Sequence, residues 1–147
     1  MLPSIDPSTG NLPPGIHDAT WSELAEAFGT TQRRLHLLVG LRAALEALRD
    51  AGCVRVFVNG SFVTAKPDPG DFDGCWEAAG VDPDALDAVL LDFAHPRVAQ
   101  KAKYGGELFI ANSGADPAGT QFLDFFQHDK TTGAAKGIVA IDPQSLR

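Results

Sequence analysis

The sequence of 147 residues contains only two cysteines and no long hydrophobic run. Cys53 and Cys75 form no Cys-x-x-Cys pair and have no paired histidine ligands, which excludes a disulfide framework and a structural zinc site. No stretch approaches the roughly 20 apolar residues that cross a bilayer, and the first residues lack the basic and apolar regions of a signal peptide. We therefore expect a cytoplasmic protein with reduced cysteines that binds no membrane.

Positive charge is also scarce. Lys and Arg total 12 against 19 Asp and Glu, which gives a formal net charge of −7 at pH 7. A protein that binds duplex DNA mainly by neutralising phosphates needs a basic surface, so the composition disfavours that class. The sequence also lacks a Walker loop, a zinc-protease helix and a dinucleotide-binding fingerprint. The hydrophobic fraction of 44% is that of a folded globular domain.

The hydrophobic pattern predicts a mixed α/β (α+β) fold in a single domain, residues 17–147, preceded by an extended arm, residues 1–16. The predicted helices cover residues 21–28, the segment between a cap at Thr30 or Thr31 and a stop at Gly52, and residues 85–93, 96–103 and 122–126. The predicted strands cover residues 54–58, 71–76, 107–111 and 137–141. Apolar residues recur at helical spacing in the longest helix, at Leu35, Leu38, Val39, Leu41, Leu45 and Leu48.

One segment combines residue types that could carry chemistry. The apolar strand ends in Gly60 and Ser61, nine residues follow, and then come Asp71, Phe72 and Asp73. Glycine lets backbone amides approach a phosphate closely, and the serine hydroxyl supplies a further donor. Two aspartates at alternate positions of a strand face the same side, where their carboxylates can hold divalent cations. The segment predicts a metal and triphosphate site; the alternative for the aspartates is a solvated turn.

This order and spacing resembles the nucleotidyltransferases related to DNA polymerase β, which carry Gly-Ser, about ten residues and then Asp-apolar-Asp. The chain also looks like a family of small bacterial proteins assigned to that superfamily. The segments that carry this wider resemblance are residues 12–17, 60–66, 125–127 and 136–139. The resemblance spans most of the chain and implies a nucleotidyltransferase-like mixed β-sheet flanked by helices.

The resemblance also implies an activity and its residues. The implied sites are Asp71, Asp73 and Glu107 for catalysis and metal binding, and Gly60, Ser61 and Lys66 for binding the nucleotide phosphates. Two Mg²⁺ ions would assist transfer of a nucleoside monophosphate from a nucleoside triphosphate to a hydroxyl of a protein or RNA. A cognate partner protein or a tRNA within a toxin–antitoxin or phage-defence module is the implied acceptor. The acidic composition favours a protein acceptor over an RNA.

Some of these residues also have simpler interpretations. Glu107 could be an exposed strand acid, and Lys66 could be a solvated loop lysine. Lys103 and Lys136 are further candidates for contact with phosphate or substrate.

Other features favour a catalytically inactive binding module of the same fold, acting as an antitoxin or regulator. Gly74 follows the second aspartate, where related proteins continue the strand with an apolar residue, and glycine weakens a strand interior. The third acid is glutamate instead of the commoner aspartate. Pro67 and Pro69 predict a stiff loop where larger relatives begin a helix. A metal-dependent phosphohydrolase that uses the same carboxylates is a third possibility.

Overall fold

A five-stranded mixed sheet organises the chain in the computed structural model, which describes residues 2–93 and 98–146 without the Val98 side chain. The mixed α/β class expected from the sequence is confirmed. The strands are β1 (Gly15–Asp18), β2 (Val56–Asn59), β3 (Phe72–Trp76), β4 (Gly106–Ile110) and β5 (Gly137–Ile141). The helices are α1 (Trp21–Phe28), α2 (Gln32–Asp50), α3 (Val98–Tyr104) and the single turn α4 (Phe122–Phe125).

The strand order across the sheet is β1-β5-β2-β3-β4. The two outer pairs, β1 with β5 and β3 with β4, are parallel, whereas β2 runs antiparallel to both of its neighbours. This arrangement places the end of β2 beside the start of β3, and the start of β3 beside the start of β4. Residues far apart in the chain therefore meet at one end of three adjacent strands.

The two faces of the sheet pack against different parts of the chain. On one face, strand residues such as Val58 and Trp76 join Leu41 of α2 in the main buried cluster. On the other face, Phe57, Cys75 and Phe109 form a smaller cluster against which Phe122, Leu123 and Phe126 pack. Alternation of side chains along each strand separates the two sets.

Capping residues determine where the first two helices begin. In α1, Thr20 and Glu23 form a capping box in which each side chain accepts a hydrogen bond from the other residue's backbone amide. In α2, the Thr31 hydroxyl accepts a hydrogen bond from the Arg34 amide. The predicted bounds of α1 are confirmed, and α2 has the predicted cap at Thr31.

The α2 face predicted from apolar spacing is partly wrong. Leu35 and Val39 are 52% and 72% exposed, whereas Arg34 and Leu37 are buried. The helix is oriented so that Arg34 reaches carbonyl oxygens of the loop after β2, and this places Leu35 and Val39 on the outside. Besides Arg34, the buried side of α2 is the apolar stripe Leu37, Leu38, Leu41, Ala44, Leu45 and Leu48.

The α-helix predicted at residues 85–93 is also wrong. Turns and a short 3-10 helix, Ala88–Leu91, occupy this segment. The Asp87 carboxylate accepts hydrogen bonds from the Val89 amide and from Lys103 and Tyr104, which ties the segment to α3. The next predicted helix, 96–103, is observed as α3, and its first two predicted residues lie outside the described ones.

The expected arm supplies an edge strand that the sequence pattern does not predict. Strand β1 begins at Gly15 and pairs with β5, with Gly15 opposite Gly137. Leu12 is buried just before it. Among the described residues, no helix is long and apolar enough to cross a membrane.

Candidate functional site

Three polar side chains form a row across the ends of β2, β3 and β4. Asp73 lies opposite Asn59 on one side and opposite Glu107 on the other, so all three share one face of the sheet. Asp71 stands two residues before Asp73, which directs it to the same side. The structure thus brings together the three acids singled out in the sequence. Asp71, Asp73 and Glu107 form one acid row.

The glycine of the Gly-Ser pair lies directly against the second aspartate. Gly60 has a φ of +74°, which side-chain-bearing residues rarely adopt. A Cβ atom at this position would lie 2.8 Å from Oδ2 of Asp73. Gly60 and Asp73, thirteen positions apart in the sequence, are therefore neighbours, and a larger residue at position 60 would displace the carboxylate.

Lys101 of α3 contacts two of the three acids. Its Nζ atom lies 3.0 Å from Oε1 of Glu107 and 3.3 Å from Oδ2 of Asp71. Its hydrogen bonds, first to Glu107 and second to Asp71, raise the pKa of Lys101 above its ordinary value. Sequence reasoning missed Lys101, because nothing in the local pattern distinguishes it from other helix lysines.

The carboxylate of Asp73 is strongly perturbed by its surroundings. Burial, together with the negative charges of Asp71 and Glu107, raises the pKa of Asp73 to about 6, against the opposing effect of Lys130 and Lys101. The side chain is still mostly ionised at neutral pH. The protein therefore maintains a partly buried negative charge at the centre of the row.

A buried arginine fixes the loop that follows the Gly-Ser pair. The Arg34 side chain, in a residue that is 2% exposed, donates to the carbonyl oxygens of Phe62 at 2.6 Å and Thr64 at 2.7 Å, and also to that of Lys66. Burial lowers the pKa of Arg34 below its ordinary value. Sequence reasoning missed this residue, whose burial on α2 follows from contacts with a distant loop.

The first turn of α2 binds the rest of this loop. The Thr31 hydroxyl donates to the carbonyl of Pro67, and Arg33 donates to the carbonyls of Pro69 and Gly70. As expected from the two prolines, no α-helix lies in the described residues between Ser61 and Asp71; a short 3-10 helix, Gly60–Val63, precedes the irregular loop. Gly74 belongs to a continuous strand, where a Cβ would lie 2.3 Å from the Phe57 carbonyl oxygen.

A cavity of about 550 Å³ opens over the row of acids. Polar residues form one part of its lining, including the Gly-Ser pair and the three acids. An aromatic wall forms another part and consists of Phe109, Phe122, Phe125 and Phe126. The rings of Phe109 and Phe122 stack with their centroids 4.2 Å apart. The cavity therefore joins acidic and aromatic surfaces.

The lysine candidates lie in different surroundings. Lys66 is exposed and is not part of the cavity lining, whereas Lys136 is partly buried and lines it. Burial lowers the pKa of Lys136 below its ordinary value. Lys103 pairs instead with Asp87, away from the acids. Of the three, Lys136 is placed to meet a ligand in the cavity.

Comparison with known proteins connects the chain to one family. The sequence model of a family of unknown function, DUF6932, matches residues 3–142. The chain belongs to this family. No curated protein matches the chain, and no solved structure matches it either.

The donor atoms of this DUF6932 site are of the type that Mg²⁺ prefers. Asp71, Asp73 and Glu107 offer carboxylate oxygens, and Asn59 beside them carries an amide oxygen. Within residues 2–93 and 98–146, no group of three His, Cys, Asp or Glu side chains already surrounds a common metal position. The chemistry of the donors fits Mg²⁺, and Lys101 shares two of the carboxylates.

Proposed function

We propose that this DUF6932 protein is a minimal nucleotidyltransferase that transfers a nucleoside monophosphate from a nucleoside triphosphate to a hydroxyl of a protein or RNA. The observation that carries the proposal is the contact of Gly60 with Asp73, whose strand neighbour is Glu107. Phosphate-binding and metal-binding residue types therefore line the same cavity. Its volume of about 550 Å³ lies within the usual range for small-molecule sites.

The lining supports separate roles for its two parts. Ser61 offers a hydroxyl to the phosphates, and Arg34 holds the carbonyls of the following loop and adds positive charge behind it. Lys136 would add positive charge at the cavity surface. The aromatic wall offers apolar ring faces to a nucleobase, and such stacking tolerates every base.

In the proposed reaction, the oxygen of an acceptor hydroxyl attacks the α-phosphorus of the triphosphate. A new P–O bond forms, the bond between the α-phosphorus and the bridging oxygen breaks, and pyrophosphate leaves with the electron pair. The hydroxyl proton passes to a carboxylate of the acid row. Mg²⁺ held by Asp71, Asp73 and Glu107 would, when bound, neutralise phosphate charge. The protein's own contribution is to align the acceptor and the phosphates.

The net charge of the protein bears on the choice of acceptor. The net charge of −7 favours a protein hydroxyl over a long RNA, because an RNA-binding surface is generally basic. We propose a cognate partner protein as the acceptor, or else the end of a tRNA, in a toxin–antitoxin or phage-defence module.

The test is a transfer assay with Mg²⁺ and nucleoside triphosphates labelled at the α- or γ-phosphate, with the product of the adjacent gene and with tRNA. Label from the α-phosphate alone is expected on the acceptor. Asp71→Ala and Asp73→Ala should abolish the transfer. Asp84→Ala removes an exposed aspartate of a second Asp-x-Asp sequence, outside the cavity, and should leave it unchanged.

Two other results would contradict the proposal. Release of γ-phosphate without labelled acceptor would assign a phosphohydrolase. Absence of nucleotide binding, together with tight binding of a partner protein, would assign the inactive binding module. The ion pairs of Lys101 with Asp71 and Glu107 favour this second candidate, because they neutralise part of the acid row without a metal.

A further inference from the structure

The acid row already contains one cation, the ammonium group of Lys101. Its two contacts, 3.0 Å to Glu107 and 3.3 Å to Asp71, join the outer acids of the site. The flexible side chain of Lys101 is 47% exposed and reaches the two acids from the surface. The position between Asp71 and Glu107 is therefore occupied by the protein itself.

Asn59 indicates a second position for a ligand or cation, on the side of Asp73 that faces β2. Asn59 is 1% exposed and lines the cavity, yet its Nδ2 atom has no hydrogen-bond partner among the described residues. A buried amide donor without an acceptor is costly, and in native proteins it commonly belongs to a binding site. An oxygen of a phosphate, or of a water molecule on a cation held by Asp73, would supply the missing acceptor.

The charges of the row match a single divalent ion. The three carboxylates carry three negative charges when ionised, and Lys101 offsets one of them. One divalent ion neutralises the remaining two. A second divalent ion between Asp71 and Glu107 would lie against the ammonium group of Lys101, and the two cations would repel each other.

We propose that Lys101 takes the place of one of the two metal ions, so that the protein alone binds a single divalent cation, at Asp73 beside Asn59. The inference rests on the proposed function, since it specifies the metal content of that site. It differs from the expectation of two ions, which follows from the resemblance. Removing the ammonium group should open the second position to a metal.

The test is a titration of the metal-free protein with Mn²⁺, followed by electron paramagnetic resonance and calorimetry without nucleotide. The wild type should bind one ion and Lys101→Met should bind two. Lys101→Arg keeps a cation between the acids and should return the stoichiometry to one. Lys103→Met is the matched control, because Lys103 is an equally exposed lysine of the same helix that pairs with Asp87 instead.

The outcomes separate this inference from the proposed function. Two ions on the wild type, or one ion on Lys101→Met, would overturn the inference even if nucleotide transfer is observed. No transfer combined with the change from one ion to two would overturn the proposed function and support the inference. Absence of any Mn²⁺ binding to the wild type and to Lys101→Met would overturn both. Circular dichroism of each variant confirms that it is folded.

Discussion

The two faces of the β2–β3–β4 sheet are built from the same three strands and differ in what they bury. On the helix face, Val56 and Trp76 are apolar and almost fully buried in the main core. On the cavity face, Asn59, Asp73 and Glu107 lie side by side next to a small aromatic cluster. A shift of one residue in strand register would exchange the faces.

This difference shows how a small domain can separate stability from chemistry. The helix face gains free energy by removing apolar surface from water. The cavity face contains an unpartnered Asn59 amide and a partly buried Asp73 carboxylate, both of which cost stability. A feature that destabilises the fold in this way indicates a function for the face that carries it.

The largest predicted effect concerns the helix face. Leu41→Ala should lower the free energy of unfolding by about 2–5 kcal/mol, because Leu41 is fully buried and truncation leaves a cavity. Val39→Ala, on the exposed side of the same helix, should change it by less than about 0.5 kcal/mol. Urea unfolding measures both. Equal losses in the two variants would contradict the described orientation of α2.

The second prediction concerns Asp73 on the cavity face. Its folded pKa of about 6 lies above the ordinary value of 3.8, so the folded protein holds the proton more tightly than the unfolded chain. Ionisation of Asp73 therefore lowers the free energy of unfolding. This loss of stability is absent below about pH 4, grows between pH 4 and 6, and is complete above pH 6. Its size is on the order of 2–3 kcal/mol.

Asp73→Asn should therefore be more stable than the wild type at pH 7.5, and the difference should vanish near pH 4. Urea unfolding in a chelating buffer across this range measures it. A variant that is less stable at pH 7.5 would mean that the carboxylate stabilises the fold, and would remove the contrast between the faces.

The smallest predicted effects distinguish two lysines around the cavity. Lys136→Met should weaken binding of a nucleoside triphosphate about tenfold, or roughly 1.4 kcal/mol, since Lys136 lines the cavity. Lys66→Met should change it less than about twofold, since Lys66 is exposed outside the lining. Calorimetry with a non-hydrolysable analogue measures both affinities. The reverse order would restore the phosphate role that the resemblance implies for Lys66.

Local sequence was sufficient for features that depend on a few neighbouring residues. The cap of α2 was predicted at Thr30 or Thr31 and is observed at Thr31, and such a cap is recognisable because its hydrogen bond spans only three residues. The common side of Asp71 and Asp73 followed from the alternation of side chains along a strand. The mixed α/β class followed from the order of helical and strand patterns.

The tertiary structure alone decided which distant residues meet. The pairing of Asp73 with Glu107, the ion pairs of Lys101 and the burial of Arg34 join segments separated by 6 to 34 positions. Such contacts depend on strand register and helix orientation, which the packing of the whole core determines. Periodicity and capping describe only a few consecutive residues, so they could propose the acids of the site but could not place Lys101 between them.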